Sequence, residues 1–544
     1  MSEVPLDFDV DFELACMDNE QLQQTFLPLP PYHWNLHPIF LVIRDRNQPP
    51  PIFNLNDDLL WRIFNMNTLT DTDIIKDSSS DHECSLITAR HTSQVCAGWR
   101  SLMLASSSLW ANTINLHHLN QRNDIWRGEI MRRTDNSLLS IIGHLKEGGP
   151  TSQFFLSLLG KHWTRLRRIS VYVHDPVVVE DERWLSIQNP APNLEIFSVR
   201  FISPPAFSTA DDILFSNEAP SIHTFIIRNL NFEVSGRWLS GLLRLDLSRC
   251  SVRKIFLFVL AEMLALESLE IVTVDIIDAH AEDRLWPTII LPKLKRLSLN
   301  VDLITLIVLI GYVAPTPGCI SRYEGWGDTV SLPSAEDIFL LQRGFSTHFQ
   351  CFSNFWPNDT ISWNLKKAEY TSDLINILKA GNNSAFYFRI ELDRASQRHG
   401  IPNIILHSLY SCDLSSITSF ELDIELKVMN LSDLHFAKFC RSLSSVVTMH
   451  ADTPTMEVLI QLHEYLNGEI LFPCLKSIVF GPDAKSRSDI IMRFILQRRD
   501  AGVPIAGFDL SHCDSFDLDR LFFLEGINGL DVKWDEKIRN EMYI

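Results

Sequence analysis

The side chains able to do chemistry are scattered singly along this 544-residue chain. Ten cysteines run from Cys16 to Cys513, and no two form a Cys-x-x-Cys pair. His82 lies near Cys84 and His512 beside Cys513, but neither neighbourhood has a second pair at the spacing that closes a zinc site. Reduced, mostly buried thiols are therefore expected. Gly143–Gly149 contains Lys146, yet the glycine-lysine-hydroxyl order of a phosphate loop is missing. GxGxxG, HExxH and GxSxG do not occur either. His174, followed by Asp175, and His512 are lone histidines, expected to be structural. Asp211 and Asp212 read as a helix start or loop rather than an acid–base pair. No catalytic, cofactor-binding or metal-ligating set is predicted, so the expectation is a protein that binds rather than an enzyme.

Charge narrows what it could bind. The net charge of −19 repels phosphate backbones, and the densest basic stretches, Arg165–Arg168 and Arg498–Arg499, hold only a few charges each. A nucleic-acid partner is not expected. Met1–Glu20 carries Glu3, Asp7, Asp9, Asp11 and Glu13 and lacks the basic and apolar regions of a secretory signal. The apolar run Leu303–Ala314 is too short to span a bilayer and reads as a buried helix. No membrane partner is expected, and the predicted compartment is cytoplasmic and/or nuclear.

The elements that would position a binding surface begin after residue 52. Residues 1–52 carry acidic residues and the clusters Pro28–Pro31 and Pro49–Pro51, a composition that favours weakly ordered, extended chain. Asn56 can cap a helix, with Asp57 and Asp58 in its first turn where the helix dipole favours negative charge. Leu59, Leu60, Ile63 and Phe64 then make one apolar stripe. Asp71–Ser85 is a polar, serine-containing insert that reads as a loop. Val95, Trp99 and Leu102 resume helical spacing at i, i+4 and i+7, with Cys96 and Met103 beside them. Ser106–Ser108 interrupts, and Leu109-Trp110 follows as an apolar pair. A unit this small buries little by itself, so a partner covering its stripe is expected.

The remainder repeats. An L-x-x-L-x-L pattern, allowing other apolar residues, starts at Leu166, Leu194, Ile222, Leu242, Leu266 and Leu294, at steps of 28, 28, 20, 24 and 28 residues. Leu365/Ala368/Tyr370 is a further copy, and another series starts at Ile417, Val446, Leu475 and Ile505, at steps of 29, 29 and 30. These steps lie at or just beyond those of leucine-rich repeats. In each copy the last two anchors are two residues apart and so point to one side of a short strand. The stretches between, such as Phe256–Leu266 and Leu434–Leu443, look helical. Strand plus helix, stacked side by side, buries one continuous core. Val301–Trp363 breaks the rhythm and is either a loop-rich insertion or two degenerate repeats. Asn229 and Cys250 are the hints of a ladder position.

Residues 53–115 resemble an F-box. The family's first helix, approximately L-P-x-E-[IL]-L-x-x-I-F, stands here as Leu55–Phe64, with Asn56 for the proline and Asp58 for the glutamate. Its second half, [LV]-S-x-V-C-x-x-W-R followed by leucine-tryptophan, stands as Thr92–Arg100 and Leu109-Trp110. Gly98 within it costs about 1 kcal/mol relative to alanine. The match covers about a tenth of the chain, and the layout is similar to fungal F-box proteins with irregular leucine-rich repeats. Arg493–Pro504 agrees with that likeness.

The resemblance implies an α/β chain: a small all-helical F-box over 53–115, a helical linker over 116–160, an α/β leucine-rich-repeat-like solenoid over 161–535 and a tail over 536–544. It implies the substrate receptor of an SCF-type cullin–RING ubiquitin ligase. Contact with a Skp-family adaptor would involve Leu55, Leu59, Leu60, Ile63, Phe64, Val95, Cys96, Trp99, Leu102, Leu109 and Trp110, some of which must instead form the module's own core. The repeat region would hold a target protein not identified by the sequence. The alternatives are a repeat scaffold or sensor with no ligase role, and an enzyme whose site is assembled from distant residues.

Overall fold

The computed structural model describes residues 52, 55–68, 85–253, 255–277, 286, 288–326, 334–355, 360–367, 374–380, 386–392, 401–424, 434–480, 487–511 and 515–534. The expected weakly ordered segment lies outside these residues except for Ile52, as do nearly all of the polar insert and the tail over 536–544. His82, Cys84, His512 and Cys513 fall outside as well. The chain divides into two units, Met1–Met66 and Asn67–Ile544. That division falls inside the module expected over 53–115, close to the polar insert. Each unit is described by itself.

In the first unit, helix α1 (Asp57–Thr68) begins as the sequence predicts. Asn56 Oδ1 accepts a hydrogen bond from the Leu59 amide at 2.9 Å, satisfying one of the free donors of the first turn. Arg62 and Asp58 add an exposed ion pair at 3.2 Å.

The second unit is mixed α/β, built on a large parallel-rich sheet flanked by many helices. It opens with three short helices, α2 (Ser85–Thr92), α3 (Ala97–Ala105) and α4 (Ser107–Ala111). Among the described residues, seventeen strands then form one sheet. In chain order they are β1 (Ile114–Asn115), β2 (Leu139–Leu145), β3 (Leu166–Val173), β4 (Ile196–Phe201), β5 (Thr224–Arg228) and β6 (Arg244–Ser248). Next come β7 (Ser268–Val272), β8 (Arg296–Asp302), β9 (Ile320–Trp326), β10 (Thr360–Lys367), β11 (Leu374–Ala380) and β12 (Phe386–Leu392). The last are β13 (Ser419–Ile424), β14 (Thr448–Ala451), β15 (Ser477–Phe480), β16 (Gly507–Asp509) and β17 (Asp531–Lys533).

From β1 to β9 each strand pairs in parallel with the next, and the same holds from β13 to β17. Between the two runs sits a three-strand meander in reversed order. β12 pairs with β9 and β10 with β13, both parallel, while β11 is antiparallel to each of its neighbours. Among the described residues of the interval Val301–Trp363, helices alternate with strands, and β9 continues the parallel ladder. The interval holds a buried helix (Leu303–Tyr312), β9, a helix of 21 residues (Ala335–Phe355) and the start of the meander.

The apolar anchors read from the sequence are in register. Ile169, Phe197, Phe225, Leu245, Leu269 and Leu297 stand opposite one another strand by strand, as do Val171, Val199, Ile227, Leu247, Ile271 and Leu299. All twelve are at most 1% exposed, and burying each stabilises the fold by about 1.5–3 kcal/mol. Connecting segments cover this face: Phe215 and Trp238 pack on Phe225, and Trp184 packs on Phe201. The later anchors Phe420/Leu422, Met449/Ala451 and Ile478/Phe480 are in register too.

Two backbone features recur with the anchors. Asn229, Arg249 and Thr273 each follow the last residue of a strand in the left-handed region, at φ 58°, 52° and 52°. Each amide donates to the last strand residue of the next unit or, for Thr273, to Asn300. Asn229 also donates its side-chain amide to the Phe201 and Ile202 carbonyls of the preceding strand's end at 2.7 and 3.0 Å. The amides of Glu195, His223, Leu243, Glu267 and Lys295 each donate to a carbonyl of the preceding unit just before their strands begin.

Three expectations need correction. Residues 116–160 are not a helical linker: β2 pairs with β1 and β3, so the sheet begins at Ile114 rather than after 161. Leu139, Ile141 and Leu145 alternate inward there at 0% exposure, a strand period in a stretch read as helical. The copy Leu365/Ala368/Tyr370 is out of register. Opposite Phe420 and Leu422 lie Ile361 and Trp363, whereas Leu365 faces Ile424, and Ala368 and Tyr370 lie outside the described residues. Val95 precedes helix α3 instead of lying on it, because Cys96 is extended (φ −158°, ψ 166°) and its Sγ caps the helix by accepting from the Trp99 amide at 3.4 Å.

Candidate functional site

In the first unit, α1 has two apolar rows. Leu60 and Phe64 are buried, whereas Leu59, Ile63 and Met66 are 43%, 37% and 68% exposed. The exposed three recur at i, i+4 and i+7, so they line one side of the helix. Together they form a small exposed apolar patch on the capped helix. Leu55, just before the cap, is half-buried.

In the second unit, α2–α4 sort the remaining candidates. Val95 is exposed, and Cys96, Trp99 and Leu102 are half-buried. Ile87 and Leu104, absent from the expected set, are also exposed. Leu109 and Trp110 are 0% exposed and belong to the interior. The Trp110 indole donates to the Met103 carbonyl at 2.8 Å, and the Arg133 guanidinium lies 4.4 Å from its ring centroid. A tryptophan with its only donor satisfied and a cation on its ring is a structural anchor, unavailable to a partner in this conformation.

A further candidate was not expected from the sequence: the sheet face opposite the anchors. Between and beside the anchors, the alternating residues line up in three rows. One row starts Ser140, Arg168, Ile196, Thr224, Arg244. The middle row is Ile142, Ser170, Ser198, Ile226, Asp246, Glu270. The third is His144, Tyr172, Arg200, Arg228, Ser248. His144 and Tyr172 stack with centroids 5.0 Å apart, and Arg200 lies 4.9 Å over Tyr172. Arg200 Nη1 donates to the Tyr172 hydroxyl at 2.6 Å. Its other arm lies 3.8 Å from Asp246, spanning β5.

Asp246 is buried, and that burial pushes its carboxyl up to about 7, helped by the Glu270 charge and opposed by Arg200 and Arg244. The long Arg200 contact does not offset the loss of water. Close by, Arg228 Nε and Arg244 Nε are buried without a hydrogen-bond partner. The chain is strongly acidic, yet this part of the sheet concentrates arginine. Its signal in the sequence was weak, because the residues flanking the anchors mix arginine and serine with Ile142, Ile196 and Ile226.

Of the lone histidines, His174 stacks on His144 and Tyr172, and His512 lies outside the described residues. Asp175 caps the turn Pro176–Val179 by accepting from the Val177 amide at 2.9 Å. His348, fully buried, lies between the Tyr323 hydroxyl and the Val313 carbonyl, 2.7 Å from each. Burial holds it neutral, at about 4. Its Nε2 then donates to Val313, and the tyrosine donates to Nδ1. Among the described residues, no group of three or more His, Cys, Asp and Glu side chains could hold a metal ion, and no helix is long and apolar enough to cross a membrane. No protein-family model matches the chain, and no curated protein matches its sequence.

Proposed function

We propose that this chain is the substrate receptor of an SCF-type cullin–RING ubiquitin ligase, with an F-box that docks on a Skp-family adaptor and a leucine-rich-repeat-like solenoid that holds the target. The observation that carries this reading is the exposed row Leu59, Ile63 and Met66 on a helix capped by Asn56. It falls where the F-box resemblance puts its first helix. Val95, half-buried Trp99 and Leu102 follow in the family's order. The in-register apolar ladder supports the repeat reading, since a parallel sheet built unit by unit is how such repeats bury their anchors.

The mechanism is proximity. The chain supplies no nucleophile; it raises the concentration of a bound target near a ubiquitin-charged enzyme. Leu109 and Trp110 then serve the interior of the second unit, and on α1 the adaptor contact falls to Leu59, Ile63 and Met66.

Co-expression with a Skp-family adaptor tests this. The wild-type chain is expected to co-purify as a one-to-one complex, and a Leu59→Asp/Ile63→Asp variant to lose it, because two carboxylates would enter an apolar contact. Both positions are exposed, so the variant is expected to keep the wild-type melting temperature. A folded wild-type chain that fails to co-purify leaves a repeat scaffold without ligase function.

A further inference from the structure

We propose that the arginine-bearing face of β3–β6 binds an acidic segment of the target protein, through several of its carboxylates at once. This rests on the reading above, in which the sheet holds the target, and adds the chemistry of what is held.

Four neighbouring strands each place an arginine in these rows: Arg168 on β3, Arg200 on β4, Arg228 on β5 and Arg244 on β6. Among the described residues of the middle row the carboxylates are Asp246 and Glu270, so arginines outnumber carboxylates in these rows of a chain whose net charge is −19. Arg200 and Arg228 stand directly opposite each other on paired strands. Like charges in that position repel and cost stability. An anion laid between them turns the cost into attraction. Among the described residues the buried Nε atoms of Arg228 and Arg244 have no hydrogen-bond partner, so neither guanidinium is fully committed within the chain.

The spread of the arginines selects the ligand. Arg168 and Arg244 lie at the start of their strands, Arg200 and Arg228 at the far end, so the set covers roughly 14 by 13 Å. A single phosphate needs donors converging on one point. An extended segment presents side chains on one side every ~6.6 Å, so acidic residues at alternate positions meet separate guanidiniums across this area. Tyr172 closes one side, its ring and hydroxyl both engaged by Arg200.

The test uses the full chain co-purified with its adaptor, at pH 8 and low salt. Three immobilised peptide libraries with randomised flanks serve as probes: one with glutamates at three alternate positions, one with glutamines there, and one with a single phosphoserine. The glutamate library is expected to retain the complex about tenfold better than the glutamine library. Arg228→Gln/Arg244→Gln should remove that preference, while Arg487→Gln/Arg493→Gln, which changes net charge equally on another element, should not. Asp246→Asn, which removes a competing carboxylate, should increase retention and keeps the proposal testable if the arginine variant fails to fold. Equal retention by glutamate and glutamine libraries, equal loss in both arginine variants, or no gain with Asp246→Asn overturns the proposal. Stronger retention by the phosphoserine library overturns it in favour of a single phosphate. If the adaptor co-purifies and the libraries do not discriminate, only this inference fails; if the adaptor does not bind, the ligase reading fails whatever the libraries show.

Discussion

Asp246 and Trp110 show how one side chain takes its role from what surrounds it. Trp110 satisfies its indole and carries Arg133 on its ring, so it serves the interior although its place in the sequence pattern suggested a contact. Asp246 is the reverse case, an ordinary aspartate made costly by burial beside Glu270. Its folded value of about 7 lies above the ordinary unfolded value of about 3.9. The proton it holds therefore adds stability that is complete below pH ~4 and is lost as pH rises through about 7. Asparagine mimics the protonated form at every pH. Asp246→Asn should thus stabilise the chain by ~1–3 kcal/mol at pH 8, with the gain smaller at pH 5 and flat above pH 8. Urea melts across that range measure it, and a gain that shrinks as pH rises would contradict the assignment.

Between elements, the helices Leu303–Tyr312 and Ala335–Phe355 approach closely at Gly344. A Cβ at Gly344 would stand 2.7 Å from the Ile310 carbonyl oxygen and 2.9 Å from its carbon. Backbone atoms cannot swing aside, so the helices would have to separate. Gly344→Ala is expected to destabilise by ~1–3 kcal/mol despite alanine's better helix propensity, whereas Gly128→Ala, on an open helical surface, should stabilise slightly. Thermal melts of the two variants separate packing from propensity. Arg498 joins neighbouring elements in another way. It donates to the Leu471 and Phe472 carbonyls at 2.6 and 2.9 Å, and burial pulls its guanidinium down to about 10. Gly502, at φ 79°, then turns the chain after the helix Ser488–Asp500. The Arg493–Pro504 stretch thus has a local structural purpose.

Across the second unit, stability is passed from strand to strand. An interior strand such as β5 is paired on both sides and its anchors are shielded, while β17 pairs with β16 alone and exposes Asp531 and Lys533. Amide exchange should therefore be slowest in β4–β8 and fastest in β17, in graded steps. A single protection level throughout would mean that the sheet opens as one body.

Much of this architecture was legible in the residues themselves. Apolar side chains two apart, recurring every 20–30 residues, leave few ways to be buried other than a strand-by-strand ladder, and the anchors from Leu166 to Leu299 fall in register as that pattern requires. The Asn56 cap was equally local, since a cap needs only its own first turn. Other features depended on contacts distant in sequence. β2 lay hidden in a stretch without the repeat motif, because its strand state comes from pairing with β1 and β3. The reversed meander β10–β12 could not be read at all, since periodicity carries no information on which strand joins which edge. The sorting of Leu59 from Leu60, and of Val95 from Trp110, is likewise tertiary: all four are apolar in an apolar pattern, and only packing decides which of them meets water. The arginine face arises the same way, from four residues 16 to 76 positions apart that become neighbours once the strands pair.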